Sequence, residues 1–112
     1  MEHLPLGSDF PIEGVNPMLG IFAAVTRSRN GSAPWFPDQI ITLHQAIKGF
    51  TLDAAYASFL EDRIGSISFG KFADFVVFNQ NFLLDFSPEK ILTAKVKATV
   101  IDGRVKYGSL YR

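Results

Sequence analysis

The stretch Lys95-Val-Lys-Ala-Thr-Val-Ile-Asp-Gly-Arg-Val105 predicts a β-hairpin near the end of the chain. Its first seven residues place apolar side chains on one face and Lys and Thr side chains on the other, which is typical of a strand with one buried face. Asp102-Gly103 favours a two-residue type I′ turn, because both residues accept a positive φ. The register expected from this turn places Val100 opposite Val105 and Ala98 opposite Tyr107.

The residues before the hairpin continue the β-type pattern. Ala73–Phe78 combines β-branched and aromatic residues and predicts another strand. Ser87-Pro88-Glu89 predicts a single helical turn between this strand and the hairpin, since Pro favours the first turn of a helix. Residues 63–112 are therefore expected to consist mainly of strands.

The first half of the chain begins with a short apolar stretch. His3–Gly7 predicts a strand, and Pro11 prevents its continuation because proline cannot donate to a sheet. Asn16-Pro17 then predicts a helix to about Thr26, with Asn16 as its N-cap. The apolar stripe of this helix is expected to consist of Met18, Leu19, Phe22 and Val25.

Two further helices are predicted before the strands. Residues 28–41, which are rich in Gly, Pro and Ser, predict a loop. Thr42-Leu-His-Gln45 fits a capping box, so a helix is expected over 43–50. Thr51 predicts the cap of a third helix, over 52–60. Helices followed by strands indicate an α+β fold.

Composition and charge exclude several classes of function. The 112 residues suit one domain, and 11 Lys and Arg balance 11 Asp and Glu, which leaves no electrostatic footprint for nucleic acid. The absence of Cys excludes a disulfide framework and a thiolate metal site. No apolar run approaches the ~20 residues that cross a bilayer, and no secretory signal is visible. We expect a soluble, cytoplasmic protein that binds neither nucleic acid nor membrane.

Aromatic residues are abundant in this sequence. The chain contains 11 Phe, 3 Tyr and 1 Trp, a large apolar load for a small domain that leaves much of its surface exposed. We therefore expect part of this surface to meet another chain or a missing domain. Trp35 and Phe36 lie in the predicted loop and could line a site, but packing is the favoured interpretation.

Asp9 is the strongest candidate for a chemical role. It follows a short apolar stretch and lies in a turn bounded by Gly7 and Pro11. Catalytic groups of α/β barrels occupy this kind of position, at the carboxyl end of a strand. A carboxylate there can bind a divalent cation and move a proton of its bound water. The alternative, which spacing alone favours, is an Asx turn in which Asp9 only caps the following backbone.

Other candidate sites are weaker. His3 and His44 are too few for a zinc site formed by this chain alone, and His44 is interpreted as a surface or interface residue. Gly65-Ser-Ile-Ser-Phe-Gly-Lys71 resembles a phosphate-binding loop, but Phe72 stands where that loop needs Ser or Thr. Its glycines are better explained as two turns before the strand.

Several motifs, in order, resemble the C-terminal third of metal-dependent amidohydrolases, and the YtcJ-like branch most closely. The resemblance covers about residues 5–107. The motifs that carry it are Leu6–Pro11, Asn16–Ile21, Ala24–Arg27, Phe50–Ala57, Glu61-Asp62, Gly65–Ile67, Gly70–Val77 and Ala98–Val105.

The resemblance implies an incomplete (β/α) barrel followed by strands of a β-sandwich. Residues 1–62 would be a partial barrel segment, with the last barrel strand at 4–8 and helical segments at 17–28 and 43–60. Residues 63–112 would contribute the C-terminal sandwich strands, at 64–108, and the hairpin. A complete barrel needs about 250 residues, so we expect the missing part to be replaced by self-association.

The resemblance also implies a reaction, namely metal-assisted hydrolysis of non-peptide C–N bonds of the amide type. Asp9 would be the catalytic aspartate, both a metal ligand and the group that takes and returns a proton. The metal of the complete enzyme would be divalent, with zinc expected. The His-x-His pair and the mid-barrel ligands of the family have no counterpart in this sequence, so the chain alone is expected to bind no metal and to be inactive.

Three hypotheses follow for the role of the chain. It is a part of a metal-dependent amidohydrolase, or a non-catalytic oligomeric module derived from one, or half of a split enzyme whose partner supplies the histidines. The first and third predict metal binding and hydrolysis only when the missing part is supplied, and the second predicts no metal dependence. The missing barrel strands predict exposed apolar surface and an exposed strand edge. The expected partners are copies of the same chain or the missing N-terminal barrel portion.

Overall fold

Three helices precede the first strand, and a fourth lies between the strands. The computed structural model describes residues 2–29 and 31–111. The helices are α1 (Pro17–Thr26), α2 (Leu43–Phe50), α3 (Leu52–Ala57) and α4 (Pro88–Thr93). The strands are β1 (Phe75–Phe78), β2 (Val96–Ile101) and β3 (Arg104–Gly108). The fold is α+β, as the sequence predicts.

Helix α1 begins where the sequence predicts. Asn16 caps it, because its side-chain oxygen accepts a hydrogen bond from Met18 N–H at 3.0 Å. The predicted apolar stripe is wrong in one position: Met18, Ile21 and Val25 are buried, whereas Leu19 is 53% exposed. The reason is tertiary, since α1 packs against α2 and α4 through the face that carries Ile21.

The predicted capping box of α2 is confirmed. Thr42 Oγ1 accepts a hydrogen bond from Gln45 N–H at 3.2 Å, and Gln45 Oε1 accepts one from Thr42 N–H at 2.8 Å. Thr51 is the N-cap residue of α3, as predicted, but its side chain makes no capping hydrogen bond, because its hydroxyl donates back to the Ile47 carbonyl at 2.7 Å. Helix α3 also ends at Ala57 instead of residue 60.

The second half contains two departures from the predicted elements. Helix α4 has six residues, more than the single turn predicted at Ser87-Pro88-Glu89. A 3₁₀ turn over Pro37–Gln39 interrupts the predicted 28–41 loop. Within the described residues, no helix is long and apolar enough to cross a membrane.

The principal core lies among α1, α2 and α4. It also takes Phe82 from the loop before α4, and Phe78 of β1 packs edge-on against Phe82 with ring centroids 5.0 Å apart. Burial of these apolar side chains is the main stabilising term of the fold. The buried members of this core are Met18, Ile21, Val25, Leu43, Ala46, Phe82 and Ile91.

The three strands form one antiparallel sheet in the order β1-β2-β3. Asp102 and Gly103 have φ of 51° and 71°, as the predicted type I′ turn requires, and Val100 pairs with Val105. The predicted pairing of Ala98 with Tyr107 is wrong. A bulge between Thr99 and Val100 shifts the register by one residue, so Ala98 pairs with Gly108.

The strand predicted at His3–Gly7 does not form. A strand needs a neighbouring strand for its hydrogen bonds, and β1, β2 and β3 pair only with one another. The segment runs along α2 instead, where Leu6 N–H donates to the Gly49 carbonyl at 3.0 Å. The resulting structure shows neither a barrel strand nor a second sheet within the residues that are described.

Candidate functional site

The turn at Asp9 follows directly on this extended segment. Asp9 has a left-handed φ of 50°, and its carbonyl accepts a hydrogen bond from Ile12 N–H at 2.8 Å. The Ser8 carbonyl also accepts a bond from Glu13 N–H, at 3.3 Å. Aspartate tolerates this backbone conformation better than most side chains, which suits it to a tight turn.

The carboxylate of Asp9 is exposed at the tip of this turn. The turn is closed by backbone carbonyls, and in the described part of the chain the Asp9 side chain makes no hydrogen bond. The Asx turn considered as the alternative is therefore not formed. A carboxylate without a hydrogen-bond partner among the residues that the structure describes is available to an external ligand.

A cleft of about 660 Å³ lies beside the turn. Ser8 and Glu13 contribute one wall, and the exposed face of α1 contributes another. Phe50 covers Gly20 so closely that a Cβ there would lie 2.6 Å from the ring. Apolar side chains dominate the lining, while Glu13, Arg29 and Glu89 supply its charges.

Trp35 and Phe36 do not line this cleft. Their rings contact each other, with centroids 4.8 Å apart, and the Arg27 guanidinium lies 5.1 Å from the centre of the Trp35 ring. Both residues remain more than half exposed. They pack locally against α1 and its cap rather than against the core.

The candidate metal ligands are not brought together. Among residues 2–29 and 31–111, no three His, Asp or Glu side chains are grouped as a metal site requires. His3 is bound to Asp53, and His44 is exposed at the start of α2. Asp9 fits the role of one oxygen ligand, and the other ligands would have to come from outside the described residues.

The glycine-rich segment Gly65–Lys71 forms turns, as the sequence indicates. Gly65 and Gly70 have φ of 90° and 87°, and strand β1 follows instead of the helix that a phosphate-binding loop requires. Lys71 Nζ donates to the carbonyl of Ile64, the residue just before the segment, at 3.4 Å. This segment leads the chain into the sheet.

Sequence reasoning missed a buried aspartate in the first turn of α3. Asp53 is 3% exposed, and its carboxylate accepts hydrogen bonds from Leu4 N–H and His3 Nδ1, both at 3.0 Å. Lys48 Nζ donates to the same carboxylate and also to the Glu2 carbonyl. We call this set of Asp53, Lys48, His3 and Leu4 the Asp53 clamp.

The electrostatics of the Asp53 clamp favour the charged carboxylate. The Leu4 N–H bond has the largest effect, followed by Lys48 and then His3, and together they keep the pKa of Asp53 far below its usual range. His3 also stacks on Tyr56, with ring centroids 3.9 Å apart. Acidic residues are common in the first turn of a helix, where they interact with the helix dipole and are usually exposed. The sequence pattern around Asp53 therefore does not indicate that this residue is buried.

Comparison with known proteins identifies relatives over nearly the whole chain. The model of the amidohydrolase family matches residues 2–107. The protein LONG AFTER FAR-RED 3 of Arabidopsis thaliana is 39% identical over 93% of this chain, and the putative amidohydrolase YtcJ of Bacillus subtilis is 36% identical over 90%. The N-substituted formamide deformylase of Arthrobacter pascens is 30% identical over 94%.

A solved structure supports the same assignment. The amidohydrolase from Thermotoga maritima superposes on 94% of this chain with a TM-score of 0.62 and 29% sequence identity, and the match covers 23% of that chain. The chain spans about a fifth of the length of the curated relatives, at 18% to 20% of each. Since the family match extends over nearly all of its residues, the chain belongs to the amidohydrolase family.

Proposed function

We propose that the chain is part of a metal-dependent hydrolase that cleaves non-peptide C–N bonds of the amide type. The observation that carries this proposal is the exposed Asp9 carboxylate, which makes no hydrogen bond to any side chain or backbone group of the described chain. A relative is named as a deformylase of N-substituted formamides, a reaction of this class. Family membership and the position of Asp9 support the same chemistry.

In this proposal Asp9 has two tasks. When bound, a divalent metal, for which zinc is expected, polarises the carbonyl and lowers the pKa of a bound water. Asp9 would be one of the residues that hold this metal, and its carboxylate would accept a proton from the attacking water and return it to the leaving nitrogen. The largely apolar cleft beside the turn is suited to the carbon substituents of a substrate.

The catalytic unit is proposed to be larger than this chain. The described residues supply one ligand, and isolated carboxylates bind divalent ions weakly because affinity comes from several convergent ligands. In this view residues 1–62 complete a barrel and residues 63–112 belong to a sandwich. Segment 3–7, which pairs with no strand of the described chain, and the open three-stranded sheet support this view, because the outer strands of an open sheet leave backbone groups free to pair with further strands.

The partner is proposed to be a copy of this chain or the remaining barrel. Large apolar side chains are fully exposed, among them Phe59 at 90%, Ile67 at 85% and Phe69 at 108%. Such surface favours association, since it removes apolar area from water. Light scattering at ~10 µM should find an oligomer. A clean monomer at this concentration would contradict self-association.

A hybrid enzyme tests the catalytic proposal. Residues 2–107 of this chain replace the matching segment of the Arthrobacter pascens deformylase, and release of formate from an N-substituted formamide is followed. We expect activity that falls to the background rate in Asp9→Asn and persists in Asp62→Asn, which changes an exposed carboxylate outside the Asp9 turn. Full activity of the Asp9→Asn hybrid would refute the role of Asp9.

Metal content of the chain itself tests the second candidate function, a non-catalytic oligomeric module. The isolation of Asp9 from His3 and His44 favours this candidate. Elemental mass spectrometry after dialysis should find little divalent metal in the chain alone. Near-stoichiometric metal that is lost in Asp9→Asn would show instead that self-association rebuilds a site, and would argue against the non-catalytic module.

A further inference from the structure

The segment before the Asp9 turn lies in direct contact with helix α2. Leu6 N–H donates to the Gly49 carbonyl at 3.0 Å. A Cβ at Gly49 would lie 2.7 Å from Leu6 Cδ1 and 2.8 Å from the Leu4 carbonyl oxygen. Only glycine allows this close an approach, so the helix surface and the segment fit at one separation.

The Asp53 clamp sets the register of this segment. Its carboxylate accepts bonds from the backbone of Leu4 and the side chain of His3, which are adjacent residues, so a shifted segment would lose both bonds. A shift by one residue moves an extended chain by about 3.3 Å and turns its side chains to the opposite side. Apolar contacts alone are not directional and would tolerate such shifts more readily.

The Leu6–Gly49 bond follows the clamp by two residues and is the last hydrogen bond to a helix that the structure describes before Asp9. The turn is closed by its own bonds, from Ile12 to Asp9 and from Glu13 to Ser8. Within the described chain, no hydrogen bond joins residues 7–13 to a helix. Among the described residues, the hydrogen bonds that tie this part of the chain to α2 and α3 all lie in residues 2–6, so the place of the turn relative to α2 depends on how those residues are held.

We infer that Asp53 is a positioning residue, which places the Asp9 carboxylate by fixing the register of residues 2–6 against α2 and α3. The inference rests on the proposed function, because it takes Asp9 to be a metal ligand. A buried carboxylate is costly unless its oxygens are hydrogen-bonded, and here both oxygens are. Reactive groups tolerate displacements of only about 0.5 Å, so hydrogen bonds that fix the position of this segment also matter for the position of Asp9.

Amide hydrogen exchange in the complete chain tests this inference without any activity. In Asp53→Ala, the amides of Leu4 and Leu6 should exchange about tenfold faster or more, since their segment is released. The amide of Ile12, which is bonded within the turn, should keep its protection. Loss of protection at Leu4 and Leu6 with a preserved turn is a pattern that general unfolding does not produce.

Three further variants make this test decisive. Asp53→Asn retains an oxygen that can accept the Leu4 bond, so it should restore part of the protection that Asp53→Ala loses. Lys48→Met removes the hydrogen bonds from Lys48 to the Glu2 carbonyl and to Asp53, and it leaves the buried carboxylate in place. This variant serves if Asp53→Ala fails to fold. Asp62→Ala, at an exposed position, should exchange as the unaltered chain does. Unchanged exchange of Leu4 in both Asp53→Ala and Lys48→Met would overturn the inference.

The hybrid enzyme separates this inference from the proposed function. There Asp53→Ala should lower kcat by about a hundredfold and leave KM unchanged, because a misplaced reactive group affects the chemical step. Asp53→Asn should recover part of kcat. If Asp9→Asn abolishes activity and Asp53→Ala leaves kcat unchanged, the inference fails and the proposed function stands. If Asp9→Asn retains activity, the proposed function fails, and the exchange pattern still decides whether Asp53 fixes the segment.

Discussion

Two neighbouring parts of the chain, residues 2–6 and residues 8–13, have opposite environments. Residues 2–6 lie on α2 and α3, where Asp53 is 3% exposed and bonded through both carboxylate oxygens. Residues 8–13 form a turn whose Asp9 carboxylate is exposed and unbonded within the described chain. The same type of side chain is thus a structural anchor in one place and an available ligand in the other. Burial and hydrogen bonding decide which role each aspartate has.

The largest effect is expected where α2, which supports the clamp, enters the core. Leu43 is buried, and Leu43→Ala should lower the free energy of unfolding by about 2–5 kcal/mol, through lost apolar contact and a residual cavity. Urea denaturation followed by circular dichroism measures this loss. The neighbouring His44→Ala, at an exposed position, is the control and should change stability by less than about 0.5 kcal/mol. Equal effects of the two variants would mean that α2 is not anchored by this core.

A smaller effect is expected at the contact between α2 and the segment. Gly49→Ala places a Cβ against Leu6 and the Leu4 carbonyl, so it should cost about 1–3 kcal/mol and release residues 2–6. Thermal unfolding and exchange of the Leu6 amide measure both consequences. Gly7→Ala, where a Cβ would meet nothing within 4 Å, is the matched control. A Gly49→Ala chain that keeps Leu6 protected would contradict the close contact.

A pH-dependent effect should distinguish the anchoring aspartate. Because the pKa of Asp53 is lower in the folded than in the unfolded chain, its charge contributes stability above the unfolded value of 3.8. That contribution is lost as pH falls below this value. Between about pH 5 and about pH 2, the free energy of unfolding should therefore fall more steeply in the unaltered chain than in Asp53→Asn. Parallel pH profiles would show that Asp53 is not the anchor.

The smallest effect on stability is expected at the turn. Asp9→Asn removes a charge that no described group contacts, and asparagine also tolerates a left-handed backbone, so the free energy of unfolding should change by less than about 0.5 kcal/mol. Urea denaturation at neutral pH measures this difference. A large loss of stability would show that Asp9 is structural, and would remove the contrast with Asp53.

The elements that depend on neighbouring residues were predictable from the sequence. The Asn16 cap, the capping box of α2 and the type I′ turn at Asp102-Gly103 each require only residues a few positions apart. The Asn16 cap and the Asp102-Gly103 turn also lie within motifs that carry the resemblance to amidohydrolases, and the family match over residues 2–107 confirms that resemblance. Asp9 as a candidate also came from its local setting, and its catalytic role stays a prediction.

The incorrect predictions concern hydrogen bonds for which the local sequence pattern offers more than one partner. The Thr51 hydroxyl was expected to cap α3, but it bonds to Ile47 on the previous helix. Pairing of Ala98 with Tyr107 ignored a bulge, and a bulge has no reliable local signature. The strand at His3–Gly7 was expected because its residues suit a strand, but a strand forms only where another strand offers hydrogen-bonding groups.

The amino-acid sequence by itself determined the helix starts, the hairpin turn, the family and the position of one candidate catalytic carboxylate. These features follow from hydrogen bonds and backbone preferences within a few residues, which any fold containing the segment retains. Only the tertiary structure decided that Asp53 is buried, that residues 2–6 lie in close contact with Gly49 of α2, and that Asp9 remains exposed. The physical reason is that burial and register depend on residues some 43 to 50 positions apart, and such contacts exist only once the chain has folded.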